Sequence, residues 1–266
     1  MRILRFVHML RYSVRMVNRT DTIASFAKGL KVLECFGAER ARLTVAEVAQ
    51  ATALDRATAR RCLLTLWSEG YAEYDGKFFR LTPRALRLGM AALSSQPLSH
   101  LVQPWLDQIT DQIGESCSVS VLDGTDVVYL ARAAQRRVMS IGLMPGSRLP
   151  AHCTSMGRVL LASLPEDEAW RILEASDLSP RTPYSATDPK DIMARLVEVR
   201  EQGFAVIDQE VEIGLLAVAL PVFSSAGEVI AALNTGMSRT QAPTEEFLSD
   251  YLPVLKKVQI GLRRIL

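Results

Sequence analysis

Histidine, cysteine and aromatic residues are all scarce in this sequence: three histidines, four cysteines and 6% aromatics among 266 residues. Histidine and cysteine supply most metal ligands and activated nucleophiles, so little material remains for either chemistry. Cys35, Cys62, Cys117 and Cys153 are widely spaced with no CxxC pair, which points to neither a zinc finger nor a disulfide framework. A chain of this size needs no such staple, and reduced thiols in a cytoplasmic setting are expected. No stretch approaches the roughly 18 consecutive apolar residues of a membrane span. Neither a P-loop nor a dinucleotide-binding glycine fingerprint occurs. The first 20 residues, which include His8, are apolar and basic. Charges interrupt each of their short runs and no small-residue cleavage site follows, so residues 1–22 read as a basic extension rather than a secretory signal. Met9 and Met16 leave a later start open.

Apolar residues make up 48% and charged residues 23%, the balance of an ordinary globular protein with ample material for a core. The net charge of +2 hides an asymmetry: 16 Lys or Arg against 8 Asp or Glu over residues 1–94 leave +8, and 15 against 21 over residues 95–266 leave −6. A basic head favours a polyanionic partner for that part alone.

The head opens with a helix expected from Ser25 to Phe36, with Phe26, Leu30, Leu33 and Cys35 as its apolar stripe and Gly37 as its stop. Thr44 and Glu47 form a capping box for a short second helix that turns Val45, Val48 and Ala49 inward. Asp55 caps a third, Arg56 to Glu69, with Ala59, Cys62, Leu63 and Leu66 at core spacing. The turn between them, Ala51 to Leu54, makes the pair a helix-turn-helix. Two strand-like segments then flank Asp75-Gly76, a hairpin turn pair, so residues 23–81 read as a winged helix-turn-helix. Thr82-Pro83 starts a linker helix over 82–96, a cap with Pro at the first position, and the composition breaks at Ser94-Ser95-Gln96-Pro97.

The body, residues 97–266, alternates element types. A helix is expected at Leu98–Ile113, strands at Cys117–Leu122, Val127–Ala131 and Val138–Leu143, and helices at Met156–Ser163, Glu166–Ala175 and Lys190–Gln202. Strands return at Phe204–Asp208, Leu216–Phe223 and Val229–Asn234 before a closing helix, Glu245–Ile265. Strands, a helical middle and strands again indicate an α+β domain around a central, mainly antiparallel sheet.

DNA contact is the strongest functional reading of the head. The third helix exposes Arg56, Ala57, Thr58, Arg60, Arg61 and Thr65 around its apolar stripe. Arginine pairs bidentately with guanine, and threonine meets a base or a thymine methyl. Recognition helices meet base edges near their N-termini, where Arg56 and Thr58 lie, while Arg60 and Arg61 are equally suited to phosphates. Thr44 at the preceding helix start and Lys77 and Arg80 in the wing suit backbone or groove contact. The plainer reading is a solvated, charged helix face.

The body offers little catalytic material. His152-Cys153 could be two metal ligands, but no third or fourth is recognisable, and Cys153 has no identifiable base, so neither a metal site nor an enzyme is expected. Asp208, Glu210 and Glu212 alternate at strand spacing and would share a side, as an acidic site or a salt-bridged edge. Better supported is a small-molecule pocket at residues 146–158. Ser155 and the free amides of the helix start could receive a carboxylate, Arg148 or Arg158 could supply charge, and His152 and Thr154 could meet a ring hydroxyl. A helix cap at Thr154 or Ser155, and nothing more, uses the same chemistry.

Several segments together resemble the IclR-type bacterial transcriptional regulators, from about Ser25 to Leu266. They are Phe26-Ala27-Lys28-Gly29-Leu30, the helix-turn-helix from Leu43 to Leu66, Gly70-Tyr71, Arg148-Leu149-Pro150-Ala151-His152-Cys153-Thr154-Ser155-Met156-Gly157-Arg158, Gly203 to Glu210, and Ala219-Leu220-Pro221-Val222. The Leu149–Arg158 segment is most similar to the branch controlling breakdown of protocatechuate and 4-hydroxybenzoate through the beta-ketoadipate pathway. The resemblance implies a GAF-like effector domain, a homodimer or homotetramer, a palindromic double-stranded operator and a small aromatic acid as effector, with no cofactor. It also implies pocket residues Met144, Arg148, His152, Thr154, Ser155, Met156 and Gly157, with Asp208, Glu210, Leu215, Leu216, Ala217 and Ala219 facing them. The chain departs from the pattern at Leu216-Ala217, where relatives often carry a polar pair. A buried polar group without a partner costs roughly 1–3 kcal/mol, so the effector is expected to be less polar on that side or to rely more on residues 148–155. The rivals are a family regulator answering a non-aromatic organic acid, a small hydrolase or isomerase, and a winged-helix module that binds protein.

Overall fold

The computed structural model describes residues 21–37, 40–94, 97–135 and 142–266. The leader, the Ser95-Gln96 break and most of the strand expected at Val138–Leu143 lie outside these residues, and Gly142 and Leu143 are not in a strand. The chain divides into two compact units near residue 95.

The first unit comprises α1 (Ala24–Glu34), α2 (Val45–Thr52), α3 (Arg56–Ser68), the hairpin β1 (Ala72–Tyr74) and β2 (Phe79–Leu81), and α4 (Pro83–Ser94). The Thr44–Glu47 capping box forms as expected, and Asp55 Oδ1 accepts from Thr58 N at 2.8 Å to start α3. Val32, Leu43, Val48, Ala59, Leu63 and Phe79 form the core. Three local expectations are corrected. The buried residue of α1 is Val32, whereas Phe26 and Leu30 stay 66% and 43% exposed; spacing identifies an apolar face but not what covers it. Helix α2 runs on through Ala51 and Thr52, and Ala53 makes the turn by adopting φ 54°. The hairpin pairs Tyr74 with Phe79, so four residues connect the strands, and Asp75 Oδ1 holds them by accepting from Lys77 N and Phe78 N.

The second unit contains α5 (Pro97–Ile113), β3 (Cys117–Asp123), β4 (Asp126–Ala133), β5 (Arg148–Pro150), α6 (Ser155–Ala162), α7 (Glu166–Ala175), α8 (Pro189–Gln202), β6 (Ala205–Asp208), β7 (Leu215–Phe223), β8 (Val229–Ser238) and α9 (Thr244–Arg263). The strands form one antiparallel sheet in the order β5-β4-β3-β8-β7-β6. Strand β5 lies in what reads as a loop in the sequence: three residues are too few for an alternation to register.

Alternation along β7 divides its side chains between two cores. Leu216, Val218, Leu220 and Val222 join the core under α5 and α9, and Ala219 joins the one under α6, α7 and α8. Helix α6 is sunk so deeply that all eight of its residues are buried. Its first turn presses on the preceding turn, where a Cβ at Gly157 would stand 2.1 Å from the Ala151 carbonyl oxygen. Because the obstacle is backbone, no rotamer relieves it. Replacing Gly157 with alanine is expected to cost at least the 1–3 kcal/mol typical of overpacking, read as a lower urea midpoint at unchanged m-value. A midpoint equal to the parent's would show that the turn yields freely.

Candidate nucleic-acid interface and effector cavity

The head presents two distinct faces of α3. Arg56, Ala57 and Arg60 lie on an exposed outer stripe. Thr58, Arg61 and Thr65 fall roughly a quarter to a half turn away and line a cleft of about 730 Å³ with Phe26, Leu30 and Leu88. Thr65 Oγ1 donates to the Arg61 carbonyl at 2.9 Å. In the wing, Arg80 is held by Glu73 through an ion pair of 2.5 Å, whereas exposed Lys77 stands 5.0 Å over the Phe78 ring. Thr44 is committed to Glu47 through the capping box.

In the body a small cavity of about 60 Å³ opens between the sheet and the start of α6, room for about two waters. Thr154, Ser155 and Met156 line one wall, Val211, Glu212, Leu215 and Ala217 another, and Ser116, Tyr129, Arg132 and Asn234 the sheet floor. Tyr129 and Arg132 are not among the residues expected from the sequence, and the cause is a β-bulge. Register between β3 and β4 shifts at Val119/Ser120, so Tyr129 pairs with Ser120 while Ala131 pairs with Val119. The extra residue resets the alternation, and Tyr129 and Arg132, which an even strand would send to opposite faces, share the cavity side. Arg132 Nη1 donates to Ser118 Oγ at 3.0 Å, and among the described residues no carboxylate pairs with it. Burial lowers its pKa, and the Glu212 carboxylate lines the same cavity on the facing wall.

The other expected pocket residues, Thr154 in the wall apart, sit elsewhere or hold the protein's own groups. Arg148 turns away to the β3–β4 hairpin, where it holds Asp123 and reaches Asp126 Oδ2 at 3.1 Å. Met144 is 63% exposed. Thr154 caps α6, its Oγ1 accepting from Gly157 N at 3.1 Å, and Gly157 itself serves close packing. His152 is enclosed with no partner for either ring nitrogen among the described residues; burial, then Arg158, lowers its pKa. Cys153 is buried and its thiol is pushed up to about 11, the opposite of an activated nucleophile. No cluster of three or more metal-ligating side chains occurs among the described residues. Leu216 points into the opposite core, so of the Leu216-Ala217 departure only Ala217 touches the cavity.

The expected shared side for Asp208, Glu210 and Glu212 is also corrected, because β6 ends at Asp208 and Gln209 turns the chain at φ 62°. Asp208 accepts from Arg239 Nε at 3.0 Å. Glu210 is buried and accepts from Arg158 Nη2 at 2.6 Å, Arg195 Nη1 at 2.9 Å and Ala186 N at 3.1 Å. Arg158, proposed from sequence as ligand charge, is thus engaged inside the protein, and its Nε also donates to the His152 carbonyl.

Two family models match the chain: the IclR helix-turn-helix domain over residues 25–76 and the bacterial transcriptional regulator IclR C-terminal domain over residues 90–259. The Pca regulon regulatory protein of Pseudomonas putida is 42% identical over 236 residues, covering 88% of this chain and 81% of its own. The p-hydroxybenzoate hydroxylase transcriptional activator of Acinetobacter baylyi is 38% identical over 260 residues, 96% of each chain. A solved inducer-binding domain of the PobR transcription factor from Acinetobacter, a double mutant complexed with 3-hydroxybenzoic acid, superposes with a TM-score of 0.61. It is 32% identical and covers 64% of this chain and all of that one.

Burial pushes the Tyr129 phenol up to about 12, against about 10 for a free tyrosine. A raised acid pKa favours the neutral form in the folded state, so this contribution to stability is full below about pH 10 and is lost as pH rises towards 12. In a rapid pH jump read by tyrosinate absorbance, one tyrosine is expected to ionise near pH 12, and Tyr129→Phe to remove that step. An unchanged titration in the variant would place the late ionisation on another residue.

Proposed function

The chain belongs to the IclR family of bacterial transcriptional regulators, and on that premise we propose how this DNA-binding regulator is controlled: a small aromatic carboxylate enters the cavity beneath α6 and sets its carboxylate on Arg132. The observation that carries this reading is the half-buried guanidinium of Arg132, which has hydrogen-bonding capacity to spare and no carboxylate partner among the described residues. Tyr129 and Asn234 on the same floor supply groups for a ring hydroxyl, and Ala217 leaves one side apolar. The names of the relatives support the 4-hydroxybenzoate and protocatechuate class and control of an aromatic-acid degradation operon. The cavity's small volume favours, as a second reading, a shorter non-aromatic acid.

Residues 23–81 are the DNA-reading part, 82–96 a linker that contains α4, and 97–266 the effector-binding and oligomerisation part, acting in the cytoplasm. Arg56 and Arg60 on the outer stripe of α3 are assigned to base edges or phosphates, and Lys77 to the backbone beside the wing. Exposed Ile23 just before α1, Phe26 and Leu30 on it, and Leu86 and Leu88 on α4 suit burial against a second copy, which gives a homodimer able to read a palindrome. The effector acts only through unequal affinity for two arrangements of such an assembly.

Anisotropy with DNA from upstream of the adjacent operon tests this at fixed salt, with aromatic and short aliphatic acids added in turn. Arg60→Ala is expected to weaken binding by about 1–3 kcal/mol, and Arg80→Ala by less because Glu73 already occupies it. Unaltered affinity in Arg60→Ala would remove that residue from the interface. Arg132→Met should keep operator binding and lose the effector response. A response that survives in this variant would put the carboxylate elsewhere.

A further inference from the structure

The effector cavity has two walls from distant parts of the sequence, the start of α6 and the loop after β6, and behind them lies a buried ionic hub. We propose that Glu210, clamped by Arg158 and Arg195, is a positioning residue that sets the spacing of these walls and so the size of ring the regulator accepts. This inference rests on the effector reading above and deepens it.

The geometry links each wall to the hub through adjacent residues. On α6, Ser155 and Met156 line the cavity, while Arg158, two residues on, turns to the other side and bonds Glu210 Oε2 at 2.6 Å. On the loop, Val211 and Glu212 line the cavity, while Glu210 before them turns to Arg158. Both partners are almost completely enclosed, their side chains 4% and 5% exposed. One short bridge therefore spans the two walls from behind.

The loop is held both by its own hydrogen bonds and by residues 182–186. Gln209 N donates to the Leu215 carbonyl at 2.7 Å, and Gln209 Oε1 accepts from Gly214 N at 3.1 Å, closing it upon itself. Thr182 Oγ1 and Ser185 Oγ donate to the Gln209 and Glu210 carbonyls, each at 2.6 Å, and Ala186 N reaches the Glu210 carboxylate. Arg195 Nη1, from α8, takes the second carboxylate oxygen. A buried ion pair adds little net stability over a well-packed apolar pair, yet it fixes geometry and is costly to break on one side. A cavity of about 60 Å³ cannot take a benzene-sized ring, for which about 150 Å³ suffices in an apolar core. The walls must part on binding, and the hub limits how far they do.

The test is calorimetric titration of the full-length protein with 4-hydroxybenzoate and with the larger 6-hydroxy-2-naphthoate, in the parent, Glu210→Gln and Arg195→Gln. The parent should favour the smaller acid by about thirtyfold or more. Glu210→Gln should narrow that ratio about tenfold, and Arg195→Gln, at a half-exposed position, should narrow it less. A merely structural role would lower the melting temperature and weaken both acids equally; a ratio unchanged in both variants overturns the proposal. Should Glu210→Gln fail to fold, Arg195→Gln decides alone. A parent that binds neither acid, while still binding its operator, defeats the effector reading and this proposal with it, an outcome distinct from an unchanged ratio.

Discussion

Everything on the cavity side of the body depends on how closely α6 approaches the turn before it. Only a hydrogen atom fits at Gly157 against the Ala151 backbone. That approach sinks the helix against β7 and β8, and a sunk helix brings Thr154, Ser155 and Met156 over the sheet while carrying Arg158 to Glu210. A substitution that raised the helix would disturb cavity wall and ionic hub together. Cavity and hub are thus two sides of one packing decision, made at a residue whose contribution is to have no side chain.

The chemistry of the cavity follows from parity. On a regular strand Tyr129 and Arg132 face opposite ways; the bulge between them aligns the phenol and the guanidinium over the same space. Burial keeps the phenol neutral, and among the described residues the guanidinium bonds Ser118 rather than a carboxylate. Cations that sequence inspection favours, Arg148 and Arg158, already hold carboxylates of the protein itself. Here the distance to an internal partner marks each of these two arginines as a structural tie.

The legibility of the chain divides along the same line. The helix-turn-helix was readable because its signals are local: Thr44 and Glu47, Asp55, and Asp75-Gly76 each act within a few residues. Most of the body's strands and helices were readable from their periodicity, and the family from several segments together. Illegible were the features made by pairing between distant segments. The bulge exists only in the register of β3 against β4, the three-residue β5 only because it pairs with β4, and the burial of Arg158 only because Glu210, from beyond β6, arrives beside it. The Leu216-Ala217 departure also changes meaning once the faces are known, since Leu216 belongs to the other core.

Two of the cysteines have a use that follows from where the sheet divides the body. Cys117 is enclosed in the core under α5 and α9, and Cys153 in the core under α6. Burial raises the pKa of both thiols, and only an exposed thiolate reacts with an alkylating reagent. Each sulfur therefore stays silent until its own layer opens. The rate at which each becomes labelled is a clock for one face of the sheet, and the pair can report whether the two layers breathe together or apart.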